Sequence, residues 1–261
     1  MNIVLEDFDD GLRHFQDLYG AEFLSDIPQK ELHAGLFETG RVIFEIFVPH
    51  AYILMSRYGP HYLGLEYQAD MGVVRQAIAE RGIRIIRDIG PAVHTHPEDT
   101  FGVAFEFYGD YFHDRPAWKE TGAPMKSAAY WRDEHALGLT GLKGYTLAVH
   151  DIAAASEFVQ SFLGGAPAYE APREAIGGRA IGLQVADAVV ELVTPTGEGE
   201  LSRHLHRYGD GIRSTVFGVR DIEQARRYFG ARSVPLVAGG APGSFAVPAE
   251  ANKGVIFEFA E

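Results

Sequence analysis

The chain has 261 residues, of which 46% are apolar, no cysteine and a formal net charge of −13 at pH 7. This is the composition of a globular protein with one large domain or two ordinary ones, and it excludes disulfides, thiolate nucleophiles and cysteine-ligated zinc. The acidity argues against nucleic acid or anionic membranes as partners, because both require clustered Lys and Arg.

The sequence shows no targeting or membrane signal. The opening stretch MNIVLEDFDD places acidic residues where a signal peptide has a basic start followed by an apolar core. No apolar run approaches the roughly 20 residues that a membrane-spanning helix needs. We therefore expect a cytoplasmic protein with neither nucleic-acid nor membrane partners.

One pattern occurs four times along the chain: an apolar strand, an aspartate, an amphipathic helix, a glycine and, on a late strand, a glutamate. The separations between aspartate and glutamate are 38, 36, 40 and 37 residues. The four pairs, in chain order, are Asp7 with Glu45, Asp70 with Glu106, Asp151 with Glu191, and Asp221 with Glu258. Such self-similarity indicates one supersecondary unit present in four copies, with a carboxylate at the same place in each.

Each copy predicts the element order βαβββ. The opening strands NIVLE, YLGLEY, YTLAV and STVFGV run into the aspartate, a good N-cap because its side chain accepts a hydrogen bond from a free helix N–H. Apolar residues then recur at helical spacing, as at Phe8, Leu12 and Phe15. The glycines expected at the helix C-caps are Gly20, Gly82, Gly164 and Gly230. Segments rich in β-branched and aromatic residues complete each unit and end in VIFEIFV, VAFEFY, AVVELV and VIFEF.

The four units predict two modules joined by a linker. Units one and two fill residues 1–112, and units three and four fill residues 141–261. Residues 113–140 are polar, contain Pro and Gly and break the periodicity. Both tryptophans, Trp118 and Trp131, lie in this linker, and we expect them to anchor it by packing.

This pattern resembles the vicinal oxygen chelate superfamily, which includes glyoxalases, extradiol dioxygenases, methylmalonyl-CoA epimerases and bleomycin-resistance proteins. The most specific piece is HTHPEDTFGVAFEF at residues 94–107, which is similar to the family's His-Pro turn, Gly-Val pair and strand ending in a metal-binding glutamate. The segments RYGDGIRSTVFGV at 207–219 and VPAEANKGVIFEF at 247–259 add to the resemblance. It implies an α+β fold in which two βαβββ units pair their sheets into a cup, here twice, and a small-molecule ligand bound by a monomer or homodimer.

Metal-dependent members of the family imply where ligands would lie. These members use a His or equivalent at the start of each unit's first strand and a Glu or Gln on each unit's last strand. In the second module these positions hold Gly144, Ser214, Glu191 and Glu258. Two carboxylates without an imidazole make a poor transition-metal site, so we expect the second module to be metal-free.

In the first module, both late-strand glutamates are candidate site residues. Strand alternation places Glu45 on one face with Phe47 and Glu106 on one face with Tyr108, while Asn2 lies on the opening strand. Keeping several carboxylates ionised together in an apolar cup is energetically unfavourable. Either a divalent cation binds between them or one keeps its proton at neutral pH.

The first strand of unit two supplies the other candidates. Counting back from the capping aspartate by the family's spacing places the ligand position at Leu63. If the turn between strand and helix carries one extra residue, the alternation of side chains along the strand favours Tyr62 instead, with Glu66 on the same face. His61 faces the opposite side in a regular strand. The candidate catalytic residues are Glu45, Glu106 and Tyr62, the candidate substrate-binding residues are Asn2, Phe47, Glu66 and Tyr108, and the candidate metal ligands are Glu45, Glu106 and His61.

Other histidines are expected outside this site. His94 and His96 fall in a predicted turn, where surface or structural roles are more common than metal ligation. His204 and His206 are two residues apart, a spacing that does not share a helix face, so we expect both to be solvated.

Two functions follow from these candidates. A carboxylic acid beside a carboxylate suits proton transfer on a carbonyl or enediolate substrate. The resemblance therefore implies a lyase- or isomerase-type enzyme acting on a small oxygenated or aromatic molecule in the N-terminal cup, with one divalent metal ion as an optional cofactor. The alternative is a metal-free binding protein, like the drug-sequestering members, that holds its ligand by apolar walls and a few polar groups. Extradiol ring cleavage is less favoured. The resemblance implies a His–His–Glu site for that activity, and the second module lacks one.

Overall fold

The computed structural model describes residues 1–50, 59–109 and 125–261, which form two eight-stranded mixed sheets. Strands β1–β8 make the first sheet and span Asn2–Val4, Glu22–Pro28, Leu32–Thr39, Val42–Pro49, His61–Gln68, Ile85–Asp88, Ala92–Thr95 and Ala104–Tyr108. Strands β9–β16 make the second and span Leu139–Ala148, Ala166–Arg173, Gly178–Val185, Ala188–Pro195, Gly211–Val219, Val237–Ala238, Phe245–Val247 and Ile256–Ala260. Helices α1–α5 span Phe8–Tyr19, Met71–Glu80, Ile152–Leu163, Glu200–Tyr208 and Ile222–Gly230.

The two sheets have the same topology. The first has the order β2-β3-β4-β1-β5-β8-β7-β6, and the second repeats it as β10-β11-β12-β9-β13-β16-β15-β14. The opening strands of the two units in each module lie antiparallel at the centre of the sheet. Each unit's last strand lies parallel to its own opening strand. Four βαβββ units paired into two cups are therefore confirmed, and each late-strand glutamate lies beside a central strand.

The repeated aspartates cap their helices, as predicted. In each case the carboxylate accepts the N–H of the second or third helical residue at 2.8–3.1 Å. These bonds satisfy donors that have no partner inside the helix, and so they fix where each helix begins.

The predicted C-terminal glycines agree with the structure in part. Gly20 and Gly164 are left-handed C-caps, with φ angles of 68° and 69°, and Gly82 follows the cap residue of α2 with a φ of 64°. The prediction for Gly230 is wrong, because Gly230 is the last residue of α5. The chain makes one further tight turn there, and the left-handed residue is Ser233, with a φ of 56°.

Where the structure describes it, the linker packs on both modules. Trp131 is fully buried in a single π-helical turn, Tyr130–Glu134, so its predicted packing role is confirmed. The backbone N–H of Lys126 donates to Glu22 at 2.8 Å, and β9 begins at Leu139. Trp118 lies outside the described residues.

One hydrophobic core runs through both modules. The ring of Phe44 in the first sheet lies 5.3 Å from that of Phe257 in the second. At the border of this core, the Tyr19 hydroxyl donates to Oδ1 of Asn252 at 2.7 Å. The modules therefore share apolar surface that each would otherwise expose to water. Within the described ranges, no helix combines the length and the apolar content that crossing a membrane would require.

Candidate functional site

The strand register of the first sheet brings three carboxylates together. Asn2 lies opposite Glu45 on parallel strands β1 and β4, and Glu66 lies opposite Glu106 on parallel strands β5 and β8. Paired residues on neighbouring strands point to the same face, here the inside of the cup. One oxygen of each glutamate lies within 4.8 Å of the others, so the structure unites two late-strand glutamates and Glu66.

The electrostatics of this acidic triad (Glu45, Glu66 and Glu106) favour neutralisation. Burial, followed by the charges of Glu66 and Glu106, raises the pKa of Glu45 well above its ordinary value. Burial and the charge of Glu66 raise the pKa of Glu106 to about 7. Partial compensation comes from the Met1 α-amino group, which donates to Glu66 Oε1 at 3.1 Å. Like charges at this separation disfavour full ionisation, so the triad binds either protons or a cation at neutral pH.

His94 lies against the triad, and its predicted turn position is wrong. It is on strand β7, opposite Glu106, because the turn begins only at Pro97. Its Nε2 lies 3.5 Å from Glu106 Oε1 and has no hydrogen-bond partner among the described residues. Burial and the charge of Arg87 lower the pKa of His94 to about 4, so the imidazole is neutral at pH 7.

Asn2 and the apolar residues near it complete the site. The Asn2 side chain is buried and its Oδ1 also lacks a partner within the described part of the chain. Phe47, two residues beyond Glu45 on the same face, packs with Leu32 and Ala34. Tyr108 follows Glu106 by two residues on β8. The carboxylates therefore lie beside a buried apolar cluster.

Tyr62 and His61 do not join this cluster. A β-bulge opposite Asn2 and Ile3 shifts the register of β5, so the parity that placed Tyr62 beside Glu66 is reversed. The Tyr62 hydroxyl donates instead to the carbonyl of Ile256 in the second module at 2.7 Å. The Nδ1 of His61 lies 2.6 Å from the carbonyl oxygen of Gly59, outside the acidic triad.

In the second module, each equivalent glutamate is paired with a buried arginine. Glu191 accepts from Nε of Arg173 at 3.0 Å and from the Tyr169 hydroxyl at 2.7 Å. Glu258 accepts from Nη1 of Arg213 at 2.5 Å. Both arginines are more than nine-tenths buried, so each carboxylate has its counter-charge inside the fold.

Sequence reasoning missed these arginines, although one signal was available. Arg213 directly precedes Ser214, the family's first-strand ligand position, and Ser214 also donates to Glu258, at 2.8 Å. Arg173 lies on edge strand β10, which carries no family motif. Its pairing with Glu191 depends on sheet order, which residue spacing does not give.

The donor sets of the two modules differ in their fit to a metal ion. The triad of the first module offers carboxylate oxygens, which Mg²⁺, Ca²⁺ and Mn²⁺ favour, and the neutral imidazole of His94 lies beside them. These residues fit a divalent cation. In the second module the guanidinium groups already neutralise Glu191 and Glu258, and those residues do not fit one.

Solved structures share this architecture. A variant of 4-hydroxymandelate synthase from Streptomyces coelicolor has a TM-score of 0.78 at 12% identity, covering 99% of this chain and 90% of that one. Methylmalonyl-CoA epimerase from Mycobacterium tuberculosis has a TM-score of 0.44 at 26% identity, covering 46% of this chain and 87% of that one. A variant of the Streptomyces coelicolor epimerase has a TM-score of 0.42 at 21% identity, with coverages of 45% and 94%.

The comparisons inform the fold. No protein-family model and no curated protein sequence matches the chain. The synthase match spans both modules at a TM-score of 0.78, and it confirms the fold that the sequence resemblance predicted. The chain has the α+β fold with two paired modules that the sequence resemblance predicts.

Proposed function

We propose that the chain is an enzyme whose N-terminal module binds one divalent cation through Glu45, Glu66 and Glu106 and performs acid–base chemistry on a small oxygenated or aromatic molecule. The observation that carries the proposal is the convergence of three carboxylate oxygens within 4.8 Å. A second observation points the same way, since the buried Nε2 of His94 lies beside the triad with no hydrogen-bond partner in the described ranges. Unpartnered buried polar atoms are uncommon, and a bound ligand is one explanation for them.

The chain's own residues have distinct roles in this proposal. The three glutamates would hold the cation, which when bound would polarise a carbonyl or enolate oxygen of the substrate. His94, neutral and oriented by β7, is the group placed to accept or return a proton at Nε2. The buried apolar cluster of Phe47, Leu32 and Ala34 would exclude water from this side of the site. Tyr62 has no part in this chemistry, because its hydroxyl is engaged with the second module.

Metal content is the direct test. We expect protein purified without chelator, and then titrated with Mn²⁺, to hold one ion per chain by elemental analysis and electron paramagnetic resonance. Glu106→Gln removes one charged ligand and should weaken Mn²⁺ binding by roughly 100-fold or more, since even outer-shell changes at metal sites cost about 10–100-fold. Glu191→Gln is the matched control, because it changes the equivalent position of a unit whose carboxylate is paired with Arg173.

The contrary result is equally definite. If both variants melt as the unmodified protein does, and Mn²⁺, Mg²⁺, Zn²⁺ and Fe²⁺ bind Glu106→Gln as well as they bind the unmodified chain, the cation site does not exist. Tight binding of an aromatic compound without turnover would then favour the metal-free binding protein of the same fold.

A further inference from the structure

A cavity of about 700 Å³ lies between the two modules, apart from the acidic triad. The starts of β5 and β13, the turn at residues 96–102 and the end of α4 surround it, and none of the four repeat glutamates lines it. Small-molecule sites commonly have this volume and occur preferentially at the border between two structural units. The cavity is therefore of a size and position that suit a small ligand.

Two close backbone contacts fix the width of this inter-module cleft. Gly102, in the turn of unit two, packs so closely on Asp210 that an added Cβ would overlap the Asp210 carbonyl oxygen. The internal repeat provides the matching contact, in which Gly254 of unit four packs on the carbonyl oxygen of Pro60. Because both contacts involve backbone rather than flexible side chains, the cleft is already formed without a ligand.

The histidines in the cleft are not required by the repeated backbone. His61 is the first residue of β5, where the equivalent first residue of β13 is Gly211. His96 precedes the short 3₁₀ turn of unit two, where the equivalent position in unit four is Pro248. The same backbone forms in unit four with Gly211 and Pro248 at these positions, so the fold does not depend on an imidazole at either one, although the His96 ring caps the turn of unit two.

The hydrogen bonds of these two rings show which nitrogen of each ring carries the hydrogen. Nδ1 of His61 faces the carbonyl oxygen of Gly59 at 2.6 Å, so it carries the hydrogen and leaves Nε2 as an acceptor. Nδ1 of His96 accepts the N–H of Glu98 at 3.3 Å, so its Nε2 carries the hydrogen and is a donor. One acceptor nitrogen and one donor nitrogen therefore belong to residues that line the cleft.

The remaining walls disfavour an anionic ligand. His204 lines the cleft as a neutral ring, since burial and the charge of Arg213 lower the pKa of His204 to about 4. Arg213 is the one Lys or Arg among the described lining residues. Its two terminal nitrogens donate to Glu258 and Glu200, which balance its charge, and its Nε has no partner within the described part of the chain. Carboxylates at the rim and apolar side chains such as Phe101 and Ile212 complete the lining.

From this chemistry we infer that the inter-module cleft is a binding site for an uncharged aromatic heterocycle that carries both a hydrogen-bond donor and an acceptor. The acceptor His61 Nε2 and the donor His96 Nε2 would recognise the polar edge of such a molecule, and Phe101 and Ile212 would contact its faces. The site is independent of the cation proposed for the first module.

Quinazolin-4(3H)-one, an uncharged aromatic lactam, is a suitable probe, with naphthalene-2-carboxylate as an anionic probe of similar size. Calorimetric titration of the full chain should show saturable binding of the lactam and at least tenfold weaker binding of the carboxylate. His61→Phe and His96→Asn should each weaken lactam binding by about threefold to tenfold, the effect of one lost hydrogen bond. Asn is chosen at residue 96 because it keeps the N-cap that the His96 ring provides.

Two controls make the test decisive. His206→Phe changes an exposed residue of α4 outside the cleft and should leave lactam binding unchanged, as should Glu106→Gln in the first module. The inference is overturned if the lactam fails to bind, if the carboxylate binds equally well, or if the double variant of His61 and His96 binds like the unmodified chain. Because Glu106→Gln tests only the cation site, failure of either proposal is distinguishable from failure of the other.

Discussion

Glu38 is a buried carboxyl outside both cups, and it allows a test of how burial affects stability in this fold. It is 1% exposed, accepts the backbone N–H of Arg41 at 2.6 Å, and its Oε2 has no partner among the described residues. Burial raises the pKa of Glu38 to about 7, whereas an unfolded chain titrates a glutamate near 4.3. The folded protein therefore favours the protonated form.

The sign of the resulting pH dependence follows from linkage. The folded-state pKa is above the unfolded one, so the stabilisation from protonated Glu38 is full below about pH 4 and is lost as pH rises through about 7. We expect Glu38→Gln, which stays neutral, to raise the free energy of unfolding by on the order of 3 kcal/mol at pH 8 and to change it little at pH 4. Urea unfolding of both proteins at the two pH values measures this. An equal effect at both pH values would show that Glu38 does not titrate as described.

At the residue scale, the sequence predicts the site where strand periodicity is unbroken. Glu45 and Glu106 were found from the repeat, and Glu66 from parity. Tyr62 was misplaced because a bulge shifts the alternation by one residue, and neither composition nor spacing reveals that bulge. His94 was missed because HTHP resembles a turn, whereas the turn starts only after the strand has brought His94 beside Glu106.

At the scale of elements, the helix starts provide a prediction of their own. Asp151 accepts the N–H groups of Ala153 and Ala154 at 3.1 and 3.0 Å, and α3 begins with an apolar face that packs on its sheet. Asp151→Ala removes both bonds and should lower the free energy of unfolding by about 1 kcal/mol, whereas Asp151→Asn, another good N-cap, should cost much less. Equilibrium urea unfolding distinguishes the two variants. Equal losses would mean that the negative charge, rather than the hydrogen bonds, stabilises the helix start.

Helices and strands are predictable where polar and apolar residues alternate clearly, and less predictable where tertiary contacts determine the structure. The segment with His204 and His206 was expected to be solvated, yet it forms α4, because Leu201 and Leu205 are buried against the second sheet. The two-residue spacing does separate the rings as predicted, since His206 is exposed while His204 is half-buried in the cleft.

At the scale of the whole molecule, the contact of Gly102 with Asp210 should decide how the modules fit together. Gly102 has a φ of 76°. Gly82 has a similar φ of 64°, but no described residue lies within 4 Å of the place that a Cβ would take. Gly82→Ala should therefore cost about 1 kcal/mol for backbone conformation alone. We expect Gly102→Ala to cost at least 2 kcal/mol more, roughly the cost of overpacking a tight site, because the modules must also separate. Parallel thermal and urea unfolding of the two variants measures the difference. Equal losses in the free energy of unfolding would show that the two modules move apart at this contact at little cost.

The arginines of the second module have a consequence for how the molecule responds to its surroundings. A guanidinium attached to the chain cannot dissociate, so the charge balance of Glu191 and Glu258 does not depend on any solute concentration. A cation held by the first module would instead stabilise the fold by mass action, in proportion to the logarithm of the free ion concentration. The stability of the first module would then depend on the metal concentration, whereas that of the second module would not. Because the two modules share one hydrophobic core, the stability of the entire chain would depend on the metal concentration as well.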